Sequence, residues 1–225
     1  NVGFFFFLQY YLYKDYLSLL VTGRYDRVNV AASNLLAGFQ DTSRLFDEFT
    51  PKFAINYKFN PSMSVFGSFG WGFDTPANNE LDNFPFSSDG GLKLINPDLQ
   101  PQNTVSYELG YKGEIINKRS NIFPTTFIEL SIFDTKIDNA IVPFTVDGNV
   151  FFRNAAVVKR TGVEFGVNSQ ITTGLNLKAA YTYSNFRYGD YISRSIDATG
   201  TIVDEDYSGN KEPCNPDNNF SAALA

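Results

Sequence analysis

The sequence predicts an all-β protein, an antiparallel transmembrane β-barrel. Three observations carry that prediction: side chains alternate apolar and polar in one segment after another, aromatic residues are in excess, and the segments are joined alternately by short turns and long polar stretches. Phe (23) and Tyr (13) dominate the aromatic 16% of 225 residues. The mean hydropathy of −0.19 and the lack of an apolar run of roughly 18 residues exclude a transmembrane helix. They do not exclude a barrel, because half of each membrane-crossing strand faces a wet interior and lowers the average.

The elements follow in order. Val2 to Tyr13 has no basic residues before its apolar run and no small-residue cleavage site after it, so it reads as a strand, not a signal peptide. Next, Leu17, Leu19, Val21, Gly23 and Tyr25 alternate with Ser18, Leu20, Thr22 and Arg24. Phe53, Ile55, Tyr57 and Phe59 alternate with Lys52, Ala54, Asn56 and Lys58, and Met63, Val65, Gly67, Phe69, Trp71 and Phe73 with a smaller, mostly polar set. Val105, Tyr107, Leu109 and Tyr111 oppose Thr104, Ser106, Glu108 and Lys112. The pattern returns at Ile128, Leu130 and Ile132, at Val163, Phe165 and Val167, at Leu175 to Tyr183, and begins once more at Phe220. Period two in this many segments means strands, about nine or ten of them and each about 9 to 13 residues long, the length that crosses a bilayer at a tilt.

Short turns are expected at Lys14–Asp15, Asn60–Pro61, 117–121 and Thr173–Gly174. Long polar connectors are expected over 29–48, 74–102, around 138–158, and 188–217, with a hairpin at 141–146 and 150–155. An outer-membrane barrel has this asymmetry, with turns on the periplasmic side and loops outside. Aromatics at segment ends, such as Tyr25, Tyr57, Trp71, Tyr111 and Tyr183, suit interfacial girdles. A soluble β-rich binding module is the alternative reading of the same strands.

Composition removes several functions. A net charge of −6 gives no general affinity for nucleic acid. One cysteine, Cys214, forms no internal disulfide, and the absence of His removes the commonest general base and metal ligand. No catalytic, metal or cofactor site is expected. The acidic run Asp204, Glu205, Asp206 reads as a solvated loop. Arg187, Tyr188, Tyr191 and Arg194 combine aromatic planes with cations and are the candidate ligand contacts, placed on an extracellular loop.

Several short motifs occur in a fixed order. Phe69, Trp71, Gly72, Phe73 and Pro76 precede Asn96, Pro97, Leu99 and Pro101, which lead into Tyr107, Glu108, Leu109 and Gly110. Then come Thr135 to Ile141, Arg153 with Asn154, Gly162 with Glu164, and Tyr181 to Ser184. In this order and spacing the chain resembles the barrel of TonB-dependent outer-membrane receptors. Asn96 and Pro97 read as the opening of a strand. Glu108 and Glu164 read as inward groups solvated by a polar lumen. Arg153 and Asn154 read as pairing residues at an extracellular strand end.

The resemblance implies an active importer in the Gram-negative outer membrane. It would be surrounded by outer-membrane lipid and lipopolysaccharide, be energised by the TonB complex through a plug domain, and take a ferric siderophore or similar iron chelate. Such barrels have about 22 strands. Residues 1–225 are therefore expected to be a partial barrel, a middle-to-late part, with the plug and the final strands outside it. Family members that take haem place His between the Phe-x-x-Pro and Asn-Pro-x-Leu elements, and 74–95 contains none. A passive porin shares the turns and girdles but has no reason for the motif set.

Overall fold

A computed structural model describes residues 1–33, 42–82, 95–117, 119, 121–146, 149–196 and 202–225. Among the described residues, ten strands form one antiparallel sheet: β1 (Val2–Leu12), β2 (Leu17–Ala32), β3 (Thr42–Asn60), β4 (Met63–Asp74), β5 (Gln102–Ile116), β6 (Thr125–Val146), β7 (Asn149–Thr172), β8 (Leu175–Ile196), β9 (Ile202–Asp206) and β10 (Asn218–Leu224). Each strand pairs with its sequence neighbour from β1 to β8. β9 and β10 share the far edge of β8, β10 along its lower part and β9 along its upper part. Between them, Tyr207, Gly209 and Glu212 bond the backbone of Tyr191, Tyr188 and Phe186 at 2.8, 2.8 and 2.9 Å, so 202–224 runs beside β8 as one interrupted strand. β1 and β10 do not pair, and the sheet is open. One four-residue helix, α1 (Asn78–Leu81), lies between β4 and β5.

The registers assign the two faces. Gly67, Leu109, Ile132, Val163 and Tyr183 are successive partners across five strands, and Phe53, Phe69 and Tyr107 are partners one row above. This belt face is exposed: Leu109 is 57% and Ile132 50% accessible. The other face carries Ser68, Glu108, Phe133, Gly162 and Ser184 in one row, and Lys112, Glu129, Gly166 and Ala180 in another. Among the described residues the buried apolar side chains form two groups, both at the end where the long connectors lie. The crossing part of the sheet has no core of its own, as expected where lipid covers one face.

The belt records the tilt of the strands. The row Phe53, Phe69, Tyr107 continues as Asp134, Thr161 and Asn185. Apolar on β3 to β5 and polar on β6 to β8, this row leaves the apolar zone part-way across the sheet. Strands inclined to the membrane normal produce this step, because a row perpendicular to them climbs through the bilayer.

The expected strand lengths and connectors need correction. β3, β6, β7 and β8 have 19, 22, 24 and 22 residues. The hairpin expected at 141–146 and 150–155 forms, but as the continuous upper part of β6 and β7 instead of a separate pair within a connector, and much of 188–217 is β8 with its β9 partner. Beyond the bilayer both faces are wet and the period-two signal fades, yet β-branched and aromatic residues such as Ile141, Val142, Phe151 and Phe152 keep the ladder going.

Aromatic side chains cover glycines along the sheet. Phe66 opposes Gly110, and Phe133 opposes Gly162, with each ring lying where a Cβ on the glycine would stand. Glycine admits this close approach, and the ring recovers the burial that the missing side chain leaves.

Candidate ligand-facing surface

The polar face at the long-connector end holds a tyrosine cluster. Val158 on β7 opposes Tyr188 on β8, and Ala156 opposes Tyr191 across a register shift. The shift adds a residue to β8, so both rings fall on one face, with centroids 4.8 Å apart. Tyr207 continues the group at 5.5 Å from Tyr191. Tyr188 and Tyr191 pack on the buried Ala140, Val142, Ala156 and Val158. Burial pushes the Tyr188 phenol above its ordinary pKa, which keeps it a neutral donor.

One row nearer the membrane, Arg160 grips Glu212 with two bonds, Nε to Oε2 at 2.9 Å and Nη2 to Oε1 at 2.5 Å. Its guanidinium also lies 5.5 Å from the Phe186 ring centroid. The bidentate pair crosses from β7 to the segment beyond β8 and fixes that segment under Tyr207. The surface therefore offers phenol hydroxyls and aromatic planes beside an already neutralised cation.

The four residues chosen from sequence do not act as one group. They lie on β8, not on a loop. Tyr188 and Tyr191 share the polar face. Arg187 points the other way, because neighbours on a strand alternate; it bonds Asn185 Oδ1 and Gly209 O, both at 2.8 Å. Arg194 opposes Asp204 in the backbone register, and its side chain lies outside the described residues. Sequence reading missed Arg160, Glu212 and Tyr207. The glycine at 189, inside an otherwise strand-forming run, is the available signal for the shift in β8.

The motif positions build a scaffold around this surface. Phe73 packs against Phe46, Leu81, Ile95 and Leu99, and Pro76 is buried at the entry to α1. Asn96 is 7% exposed. Its N–H donates to Leu81 O at 2.6 Å, and its Oδ1 accepts from Asp98 N–H at 3.0 Å, which folds the chain at Pro97. Asn96 thus makes a turn, and the strand it was expected to open starts six residues later at Gln102, after Pro101. The side-chain acceptor captures the local N–H before a ladder can.

Arg44 of β3, also missed, donates to Asn96 O at 2.7 Å and Leu99 O at 2.5 Å. Asn154 clasps Gln100 from β7 and also donates to Asn139 O at 2.6 Å. Arg153 lies 5.1 Å from the Phe144 ring centroid, with Nη2 3.5 Å from Ile192 O. Lower down, Glu108 and Glu164 line a groove of about 340 Å³ on the polar face, together with Lys112 and Glu129, which are 2.5 Å apart. Tyr107 faces the belt and stacks on Phe69 at 4.7 Å.

Comparison with known proteins places this arrangement. The family model described as TonB dependent receptor-like, beta-barrel matches residues 1–225. A vitamin B12 transporter, BtuB of Vibrio vulnificus, is 30% identical over 86 residues, 38% of this chain and 11% of its own length. The siderophore receptor PiuA of Acinetobacter baumannii superposes on 92% of the chain with a TM-score of 0.67 at 20% identity. The alcaligin receptor FauA of Bordetella pertussis superposes on 99% with a TM-score of 0.62, also at 20% identity. The chain spans 28% and 33% of those two structures.

Proposed function

Because this chain belongs to the TonB-dependent receptor-like β-barrel family, we propose that it forms part of an outer-membrane receptor that binds an iron chelate of the siderophore class and imports it with TonB-transduced energy. The observation that carries the ligand reading is the cluster of Tyr188, Tyr191 and Tyr207 at the long-connector end of the polar face. In a closed barrel that face lines the lumen and that end opens to the outside. The tilted rings there present planar surfaces, and Tyr188 and Tyr191 offer hydroxyl donors to an oxygen-rich chelate, while the Tyr207 hydroxyl already donates to Glu205. The siderophore and alcaligin receptors among the structural neighbours support the class. The plug and the strands that close the barrel lie outside residues 1–225 in this proposal.

The test uses the full-length receptor. Tyr188→Ala with Tyr191→Ala is expected to weaken ferric-chelate binding about tenfold or more, each aromatic contact contributing about 0.5–1.5 kcal/mol. Growth of a deletion strain on single iron sources names the chelate. Uptake that continues after TonB is removed would make the protein a passive channel and overturn the proposal. The 86-residue match to a vitamin B12 transporter favours cobalamin as the second ligand to measure.

A further inference from the structure

Two irregularities in the β6–β7 ladder decide which side chains join the tyrosine cluster. The first falls at Asn139, whose φ is 57°, and the second beside Ala155, so that Ala140 opposes Ala156, Ile141 opposes Asn154 and Val142 opposes Arg153. Ile141 and Phe152 pack toward Phe46 and Leu99. Val142 packs instead with Ala156 and Val158, beneath Tyr188 and Tyr191. Arg153, the partner of Val142, therefore stands on the tyrosine side, farther out along β7 than Ala156.

At this height β7 and β8 part. Their ladder ends at Ala156 and Tyr191, and from Ile192 onward β8 pairs with β9. The Arg153 guanidinium lies in the gap, with the Phe144 ring centroid 5.1 Å from it and Nη2 3.5 Å from the carbonyl of Ile192, the residue after Tyr191. Its Nε is buried and has no hydrogen-bond partner among the described residues. A buried donor without an acceptor is unfavourable.

Arg160, on the same face of the same strand, shows what such an edge takes. Its Nε and Nη2 hold the two oxygens of Glu212 at 2.9 and 2.5 Å. At Arg153 the same two nitrogens have no carboxylate among the described residues. The carboxylates bordering the cluster stand across from it, the exposed Asp190 on β8 and Glu205, which accepts the Tyr207 hydroxyl, on β9. The cluster is thus flanked by a cation on the β7 side and by anions on the β8–β9 side.

We propose that Arg153 is the specificity-determining contact of the ligand site, and that it binds a free carboxylate carried by the incoming chelate outside the metal's coordination shell. The side chain swings off Ile192 O, Nε and Nη2 take the two carboxylate oxygens, and Nε gains the acceptor that it lacks. The chelate's planar part lies over Tyr188 and Tyr191, with the acidic arm directed toward β7. This inference rests on the reading of the surface as an iron-chelate site and names the chemical class of chelate it prefers.

The test uses the full-length receptor in detergent, its folding verified by heat-modifiable migration. The probes are a ferric hydroxamate and a ferric catecholate chelate, each prepared with one free carboxylate and as the methyl ester of that acid. The acid is expected to bind about tenfold or more tightly than its ester. Arg153→Gln should abolish the difference and leave the affinity for the ester unchanged. Arg153→Lys, which keeps the charge and loses the fork, should retain part of it. An arginine that only supports the fold would weaken acid and ester alike. Equal binding of acid and ester by the unsubstituted receptor, which requires no variant to fold, or a preference that survives Arg153→Gln, overturns the inference and leaves the iron-chelate reading standing. A receptor that binds none of these probes defeats the proposed function, and this inference with it.

Discussion

Asn154 and Gln100, 54 residues apart in sequence, bond each other twice: Gln100 N–H donates to Asn154 Oδ1 at 2.6 Å, and Asn154 Nδ2 donates to Gln100 O at 2.8 Å. The amide side chain imitates a strand partner for one residue, tying the segment before β5 to β7 across β6. Asn154→Ala removes both bonds and the one to Asn139 O. A loss of about 1–3 kcal/mol of local stability is expected. Hydrogen exchange at the Gln100 amide should accelerate about tenfold or more, while the amides of β4 keep their protection; unchanged exchange at Gln100 would show that the clasp contributes nothing.

Gly162 is a second position where one atom decides. A Cβ there would stand 2.5 Å from Phe133 Cζ and 2.5 Å from the backbone oxygen of Tyr183. A side-chain ring end shifts more cheaply than backbone, and the carbonyl is held in the β7–β8 ladder. Gly162→Ala is expected to destabilise the barrel by about 1–3 kcal/mol, as overpacking does, despite alanine's better strand propensity. A denaturant series on the full-length receptor that shows equal or greater stability would refute this account.

Much of the sheet was legible because lipid imposes a simple rule on it. Leu109 and Ile132 alternate with Glu108 and Phe133 since one face meets hydrocarbon. Phe133 already departs from that rule, and the departure makes sense only once Gly162 is seen opposite. Above the bilayer the rule lapses. Only Gly189 hints that Tyr188 and Tyr191, three apart, share a face, because a register shift in a wet hairpin leaves no hydropathy mark. Arg160 and Glu212 were invisible as a pair for a related reason: they meet through the path of 207–217 along β8, a tertiary fact. Asn96 was misread because a residue before proline suits an extended strand and a turn equally well.

The Arg160–Glu212 pair is accessible at 37% and 16% of its side chains, so its strength is modest despite two-point geometry. A double-mutant cycle with Arg160→Ala and Glu212→Ala should give a coupling of about 1 kcal/mol. Exchange of the Glu212 amide, which donates to Phe186 O, reads the effect directly. Zero coupling would mean that the segment 207–217 is held by its backbone bonds and by contacts such as Arg187 to Gly209 O, without help from this pair.

Acid should loosen the turn after β9. Asp206 Oδ1 accepts the N–H of Ser208 at 2.9 Å, and bonds from the Ser208 side chain and backbone hold its carboxyl below the ordinary 3.8. A depressed pKa contributes stability that is present above the unfolded value and lost as pH falls through the folded one. Exchange at the Ser208 amide, corrected for its intrinsic rate, should therefore keep its protection above about pH 4 and lose it progressively below. Asp206→Asn should remove the dependence, and a variant that keeps it would assign the transition to another group.

The open edges decide how residues 1–225 behave alone. β1 is eleven residues long, so its outer edge presents roughly five N–H and five C=O groups, and β10 presents a shorter set. In hydrocarbon each unsatisfied group costs several kcal/mol, giving tens of kcal/mol for an isolated sheet, more than a marginally stable fold supplies. Closure by further strands removes the whole cost at once. The isolated 225-residue chain is therefore expected to fail to insert as a monomer, even into vesicles where the full-length receptor folds. Heat-modifiable migration on cold gels is the readout. A folded, detergent-stable monomeric band from the isolated chain would show that the edges are satisfied internally, by curling or by β1 meeting β10, and would end this argument.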